Sequence, residues 1–177
     1  GEARSQLSGL GNNPEVSLLL ADIALQNSQL DEASGHVRTA QGLLADAANA
    51  QLEARAYFLQ GRLDEKRSNF ENALDHYRSA TALDALNLNY RLAVSDLLFN
   101  LGNLDVARSE LEQYQTLVQG QDAALARNPK LLSQLGRIKW AQGNLKAAAT
   151  DLETAVVQRG SRDSVSQAQD LKTLAFI

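Results

Sequence analysis

The sequence has no cysteine, no methionine, two prolines and a single tryptophan. Without cysteine there can be no disulfide, no zinc–thiolate site and no thiol chemistry. Aromatic residues are only 5% of the chain, whereas alanine and leucine are abundant, and this balance favours helices over strands. Because no initiator methionine is present, we expect the 177 residues to be a segment of a longer protein.

Positive charge is also scarce. Lysine and arginine number 17 against 21 aspartates and glutamates, which gives a net charge of −4 and a pI of about 5.2. Proteins that bind nucleic acid need concentrated positive charge, so we expect no nucleic-acid partner. The longest apolar runs are only a few residues, far too short to cross a bilayer, so we expect no membrane insertion of this segment. Hydrophobic residues, at 44%, suffice for a core.

The sequence carries no motif of known chemistry. It has no glycine-rich phosphate loop, no nucleophile elbow and no His-Glu-x-x-His pattern. The two histidines, His36 and His76, occupy equivalent places in neighbouring segments, and we expect both to be solvated surface residues. We therefore expect a non-enzymatic protein without catalytic residues, a metal site or a cofactor.

A short pattern recurs four times along the chain. Each copy is a small residue, a polar amide, an apolar residue, two variable residues and an alanine. The closing alanines are 40, 34 and 41 residues apart: Ala33, Ala73, Ala107 and Ala148. Such self-similarity predicts an array of stacked units, with extra residues near 44–51 and 118–125 that lengthen helices or loops.

Each unit has the signals of two helices joined by a tight turn. Asn13-Pro14 and Asn128-Pro129 predict helix starts, because asparagine caps a helix and proline suits its first position. The small residues that open each pattern predict helix ends with a left-handed backbone, and they are Ser28, Ser68, Gly102 and Gly143.

This arrangement resembles the tetratricopeptide repeat family, whose 34-residue unit pairs two helices through small residues. The first helix supplies Ala21, Gly61, Ser95 and Gly136; the second supplies the four closing alanines and Ala40, Ala80, Tyr114 and Ala155. The resemblance implies an all-α, right-handed superhelical solenoid of about four repeats plus a C-terminal capping helix. We expect one array over 1–177, with repeats at 14–44, 47–86, 87–119 and 121–158.

Both ends of the chain fit the same scheme. Residues 1–12 read as the tail of a preceding helix. Residues 162–177 read as a capping helix or the start of a fifth repeat. Ser161-Arg162-Asp163 would cap that helix, and its apolar residues would cover the fourth hairpin: Val165, Ala168, Leu171 and Leu174.

The family resemblance also implies a concave groove, lined by first-helix residues that point away from the second helix. The partner-binding residues predicted from this register are Leu18, Asp22, Leu25, Arg55, Phe58, Arg62, Lys66, Leu92, Asp96, Phe99, Lys130, Arg137 and Trp140. Aromatic residues on such a face are typical anchors for a partner. The alternative is that Trp140 packs against the neighbouring insertion or the last helix.

One site on this face alternates in sign through Asp22, Arg62, Asp96 and Arg137. These residues form either a ladder of ion pairs between repeats or a polarised groove that orients a partner of mixed charge. The clamp that some family members use for a C-terminal carboxylate is not expected, because Asp22 would repel that group.

The resemblance implies a protein–protein interaction scaffold that binds a peptide or a helix of a partner. The alternative is a structural spacer or self-association module, in which array ends stack to form a homo-oligomer. The glutamine- and asparagine-rich, lysine-poor composition favours a bacterial periplasm or cell envelope over the cytoplasm, with a role in envelope assembly or export.

Overall fold

The structure, a computed structural model, describes residues 13–45, 49–159 and 164–177. Within these ranges every regular element is an α-helix, which confirms the all-α helical-repeat prediction. The helices are α1 Pro14–Gln26, α2 Leu30–Leu44, α3 Ala50–Lys66, α4 Phe70–Leu83, α5 Leu88–Asn100, α6 Leu104–Gln119, α7 Ala123–Ala126, α8 Pro129–Ala141, α9 Leu145–Arg159 and α10 Ser164–Leu174. None of these helices is long and apolar enough to span a membrane.

Four helical hairpins follow one another in the part of the chain that the structure describes. Helix α1 packs on α2, α3 on α4 and α8 on α9. The third hairpin joins α5 to α6, where the Ser95 hydroxyl donates to the Ala107 carbonyl at 3.1 Å. The chain divides into two compact units between Tyr90 and Arg91, inside α5.

The predicted helix starts are confirmed. The Asn13 Oδ1 accepts a hydrogen bond from the Glu15 amide at 2.8 Å, and the Asn128 Oδ1 accepts one from the Lys130 amide at 2.9 Å. Each following proline occupies the first helical position, where its missing N–H costs nothing.

The predicted turns are also confirmed. All four small residues have a positive φ: 59° at Ser28, 62° at Ser68, 80° at Gly102 and 78° at Gly143. The left-handed residue reverses the chain, so that the next amide reaches back to the helix end, as Gln29 N does to the Ala24 carbonyl at 2.8 Å.

The extra residues between repeats lengthen helices and add one short helix. Helix α3 has 17 residues and α6 has 16, against 13 in α1. The second insertion also forms α7, which Asp122 caps by accepting from the Ala124 amide at 2.8 Å.

Small residues let the paired helices approach closely. A Cβ atom on Gly61 would lie 2.5 Å from Cδ1 of Tyr77, and one on Gly136 would lie 2.6 Å from Cγ of Leu152. The four closing alanines are fully buried, as predicted. Tyr114 is buried as well, so the third repeat accommodates a large side chain where the others hold alanine.

The prediction for the last helix was wrong about which face packs. Val165 and Leu171 are 80% and 50% exposed, whereas Asp170 is 2% exposed and Thr173 is buried. The reason is the buried Arg159 at the end of α9, which draws the Asp170 carboxylate inward as its ion-pair partner. The predicted cap at 161–163 and the predicted tail at 1–12 lie outside the described residues.

Candidate functional site

The first unit places two predicted groove residues in its core. Leu18 is 0% exposed and Leu25 is 2% exposed, and both belong to a hydrophobic cluster with Ala21, Leu59 and Leu63. The prediction that they line a groove is therefore corrected. Their helix packs against both α2 and α3, so an apolar residue on either side of α1 is covered.

Asp22 and Arg62 form an ion pair between α1 and α3. The Arg62 guanidinium also lies 6.0 Å from the ring centroid of Phe58. The ion-pair interpretation is confirmed for this pair. With side chains about one-third exposed, such a pair contributes roughly 0–1 kcal/mol to stability.

Phe58 belongs to an aromatic cluster rather than to an open face. Its ring centroid lies 5.6 Å from that of Tyr77 and 4.9 Å from that of Tyr90. Burial raises the pKa of the Tyr90 hydroxyl above its ordinary value of 10.0, the Asp84 carboxylate raises it further, and the Arg55 charge lowers it. Of the other predicted residues in this unit, Arg55 is half-buried and Lys66 is exposed.

The second unit contains a cavity of about 430 Å³ that is lined mainly by α5, α8 and α10, with Arg159 from the end of α9. Four predicted groove residues meet there: Leu92 and Asp96 from α5, and Lys130 and Arg137 from α8. The rest of the lining is Ser133, Gln134, Arg159, Val165, Ser166, Gln169 and Asp170. We call this cavity the α5–α8–α10 groove.

A buried polar network forms the floor of the groove. Arg159 forms an ion pair with Asp170 and donates from Nη2 to the Ser133 Oγ at 2.6 Å and to the Pro129 carbonyl at 3.2 Å. The Ser133 hydroxyl donates to Asp170 Oδ2 at 2.7 Å. Three helices, α8, α9 and α10, are thereby joined at one point, so the floor is held in place.

One wall of the groove presents a positioned cation. Arg137 Nη1 donates to the Gln134 Oε1 at 2.9 Å, and the guanidinium lies 5.3 Å from the ring centroid of Phe99. The amide nitrogen of Gln134 is buried and has no hydrogen-bond partner among the described residues. Gln134 thus holds the Arg137 guanidinium through its Oε1, while its Nε2 donor stays unused.

The two remaining predicted aromatics do not line the cavity. Phe99 supports Arg137 from outside it, and Trp140 is exposed on α8, one turn beyond Arg137. Sequence reasoning missed the contributions of Gln134, Arg159 and Asp170. The only signal for them in the sequence was Arg159, which lies at an otherwise apolar helix end. Its ion-pair partner, Asp170, lies 11 residues further along the chain.

A second hollow in this unit is larger than the α5–α8–α10 groove, but it is lined by fewer charged residues. Its volume is about 760 Å³, and its lining is glutamine and alanine side chains with one charged residue, Arg127. None of its lining residues belongs to the face that the repeat register predicts for partner binding. We therefore take the α5–α8–α10 groove as the candidate site.

The histidines are not simply solvated. His76 Nδ1 lies 2.8 Å from Oδ2 of the buried Asp64, and its ring stacks on Tyr57 at 6.1 Å. The equivalent position of the fourth hairpin holds Lys139 Nζ 2.6 Å from Asp151 Oδ2, so this pair ties two helices of a hairpin together. In the described ranges no three histidine, aspartate or glutamate residues cluster as a metal site would require.

Comparison by sequence finds no match for this protein, whereas comparison by structure finds several. No protein-family model and no curated protein matches this sequence. Among solved structures, BtubC from P. vanneervenii has a TM-score of 0.75 and 17% identity, covering 90% of this chain and 69% of that one.

Two further structures are described as tetratricopeptide-repeat proteins. TTC0263 of Thermus thermophilus has a TM-score of 0.66 and 19% identity, covering 96% of this chain and 85% of that one. The C-terminal part of a repeat-containing protein from Cytophaga hutchinsonii has a TM-score of 0.67 and 15% identity, covering 97% and 64% respectively. At such identities the likeness establishes the fold: this chain has the fold of tetratricopeptide-repeat proteins.

Proposed function

We propose that this protein is a non-enzymatic scaffold that binds a segment of another protein in the α5–α8–α10 groove. The observation that carries the proposal is the meeting of Leu92, Asp96, Lys130 and Arg137, all assigned to one face from repeat register, around one cavity of about 430 Å³. The tetratricopeptide-repeat fold supports the proposal in general terms. A role in bacterial envelope assembly or export, which the composition favours, is part of the same proposal.

The groove is suited to binding because its parts are already in place. Association costs free energy when side chains must be ordered, and prior ordering reduces that cost. Here Arg137 is held by Gln134 and Phe99, and the floor is held by the network around Arg159.

A photoreactive amino acid at exposed or partly exposed positions tests the proposal. We would place it at Lys130 on the groove or at Trp140 near it, and at Arg108 on α6 as a control outside the groove lining. We expect a partner protein to be captured from Lys130 and, more weakly, from Trp140. Capture from Arg108, or from the His36 and His76 positions, without capture from Lys130 would contradict the groove proposal.

Self-association is a second candidate, because apolar side chains lie open near the end of the second unit. Val165 and Phe176 are mostly exposed, and Ile177 is partly so. If these residues stack chains end to end, light scattering should show a mass that rises with concentration and falls when Phe176 and Ile177 are both replaced by serine. A constant monomer mass would exclude this candidate.

A further inference from the structure

Helix α10 turns a polar side inward and an apolar side outward. Asp170 is 2% exposed and Thr173 is 7% exposed, whereas Val165 and Leu171 are 80% and 50% exposed. Ala168, midway between the two apolar residues, is exposed as well. A helix on the surface of a soluble protein ordinarily directs its apolar stripe toward the core. The reversed arrangement leaves Val165, Ala168 and Leu171 open to a partner, and we call these three residues the α10 stripe.

The α10 stripe is centred on Ala168. Residues three apart on an α-helix are separated by about 60° around its axis and by about 4.5 Å along it. Val165 and Leu171 therefore flank Ala168 at equal angles and equal distances, on opposite sides of it. By the same geometry Ala168 lies nearly opposite the buried face that holds Asp170 and Thr173. A large, a small and a large apolar side chain thus follow one another across the outward face of the helix.

This order of side chains is complementary to itself. A two-fold contact uses the same patch of surface on both subunits, so the patch must fit its own copy. When two α10 helices cross antiparallel at Ala168, Val165 of each copy lies against Leu171 of the other. The small side chain at the crossing point permits a short distance between the helix axes. The stripe therefore fits a second copy of this chain.

Charge selects the antiparallel orientation. Helix α10 has two charged residues, and Asp170 is buried in its pair with Arg159, which leaves Lys172 on the outer side. In a parallel pair the two Lys172 side chains would lie side by side and repel each other. In the antiparallel pair their positions are eight residues apart along the axis, which is about 12 Å and exceeds the screening length at physiological ionic strength.

We infer that two copies of this chain associate through α10 as an antiparallel, two-fold pair that crosses at Ala168. The inference rests on the self-association candidate of the proposed function and deepens it, because it replaces an open end-to-end stack by a closed pair. One helix of 11 residues from each copy makes a small interface. Interfaces that bury less than about 1,200 Å² are typically weak, so we expect a dimer that dissociates in the micromolar range or above.

Sedimentation equilibrium of the natural chain tests the pairing. The loading concentration is varied from about 5 to about 500 μM, which covers the dissociation constants of weak complexes. We expect the mean mass to rise from that of one chain, 19.2 kDa, toward twice that value and no further. A mass that stays at one chain, or that grows past two, would overturn the inference.

Two single variants probe the contact between Val165 and Leu171. Leu171→Glu and Val165→Lys each place a charge against an apolar side chain at both ends of the pair, and each should weaken dimerisation by about tenfold or more. An equimolar mixture of the two variants should recover to within about threefold of the natural protein. In that mixed pair the new carboxylate of one chain meets the new ammonium of the other, while the second contact between Val165 and Leu171 is retained.

Val157→Glu is the matched control, because Val157 is 79% exposed on α9 and lies outside the α10 stripe. It should leave dimerisation unchanged. The double variant Phe176→Ser with Ile177→Ser should also leave it unchanged, whereas an end-to-end stack through these two residues would be lost. Thermal melts show whether each variant keeps its fold, and we expect little change for side chains that are at least half exposed.

Three results with the variants would overturn the inference: a mixture that associates as weakly as its components, a loss in Val157→Glu equal to that in Leu171→Glu, or a loss in the double variant. Each of them leaves the groove proposal to its own test. Because Val165 also borders the α5–α8–α10 groove, cross-linking from Lys130 is carried out at low concentration, where the chain is monomeric.

Discussion

At the scale of single residues, Gly61 shows why a helix of this fold needs a small side chain at one position. An added Cβ would lie 2.5 Å from the ring of Tyr77. That ring cannot move aside easily, because its hydroxyl donates to Glu65 at 2.6 Å and its face meets Phe58. We expect Gly61→Ala to lower the free energy of unfolding by roughly 1–3 kcal/mol, the usual cost of overpacking, as measured by urea denaturation.

Gly42 provides the matched control for this prediction. It also lies inside a helix, but a Cβ there would meet nothing within 4 Å. Gly42→Ala should raise the free energy of unfolding by up to about 1 kcal/mol, because alanine favours the helix. If both substitutions stabilise the protein, close helix approach at Gly61 is not what requires glycine.

Tyr90 should make the free energy of unfolding fall at alkaline pH. Its pKa is raised in the folded protein, first by burial and then by Asp84, so folding favours the neutral hydroxyl. The stabilisation of the folded state that comes from this raised pKa is fully present below the unfolded pKa of about 10. It is lost as pH rises through the higher folded pKa. Tyr90→Phe cannot ionise, so its unfolding free energy should fall less than that of the natural protein between about pH 8 and pH 11.

Tyr57→Phe serves as the comparison, because it removes an exposed tyrosine hydroxyl from the same unit. The free energy of unfolding of the natural protein, of Tyr90→Phe and of Tyr57→Phe is measured by denaturation at both pH values. Equal alkaline losses in the natural protein and in Tyr90→Phe would show that Tyr90 is not responsible.

At the scale of elements, α10 is held to its neighbours by charge. Asp170 pairs with Arg159, whose side chain is itself buried. Removing one member of a buried pair leaves the other charge uncompensated, which commonly costs about 3–5 kcal/mol. We therefore expect Asp170→Ala to release α10 and to speed hydrogen exchange of the amides in 164–174, as followed by mass spectrometry.

The double variant Arg159→Met with Asp170→Leu separates charge from packing. Replacing both members of a buried pair by apolar residues of similar size is often nearly neutral. Exchange in α10 should then stay close to that of the natural protein. If Asp170→Ala leaves exchange unchanged, contacts other than this network hold the helix.

The same helix shows where sequence reasoning succeeds and where it stops. Caps and turns could be predicted from residues next to one another, since the Asn13 side chain caps an amide two residues away and Gly102 acts through its own backbone. The packed face of α10 could not be predicted, because apolar residues at a three-residue spacing show a stripe but not which partner it meets. A buried cation on another helix reversed the expectation, and only the folded chain brings Arg159 and Asp170 together.

At the scale of the whole molecule, a repeat fold distributes stability locally. Each repeat contacts mainly its sequence neighbours, so a defect in one hairpin should weaken that region most. Gly61→Ala should speed hydrogen exchange mainly in the first unit. Gly136→Ala, which meets Leu152 at 2.6 Å, should do so mainly in the second. A uniform rise across both units for either variant would show that the chain unfolds as one cooperative body instead.

The sequence by itself determined the helices, their turns and the repeat register. These depend on local signals: caps, left-handed residues and small side chains at fixed spacing. From the register it also identified Asp96, Lys130 and Arg137 as residues that share a face.

Only the tertiary structure decided which of those residues meet at a site. It buried Leu18 and Leu25, joined Asp22 to Arg62, and left the donor of Gln134 unused beside Arg137. The physical reason is that burial and pairing depend on neighbours from other helices. A periodic pattern specifies the direction of a side chain on its own helix but not what lies opposite it.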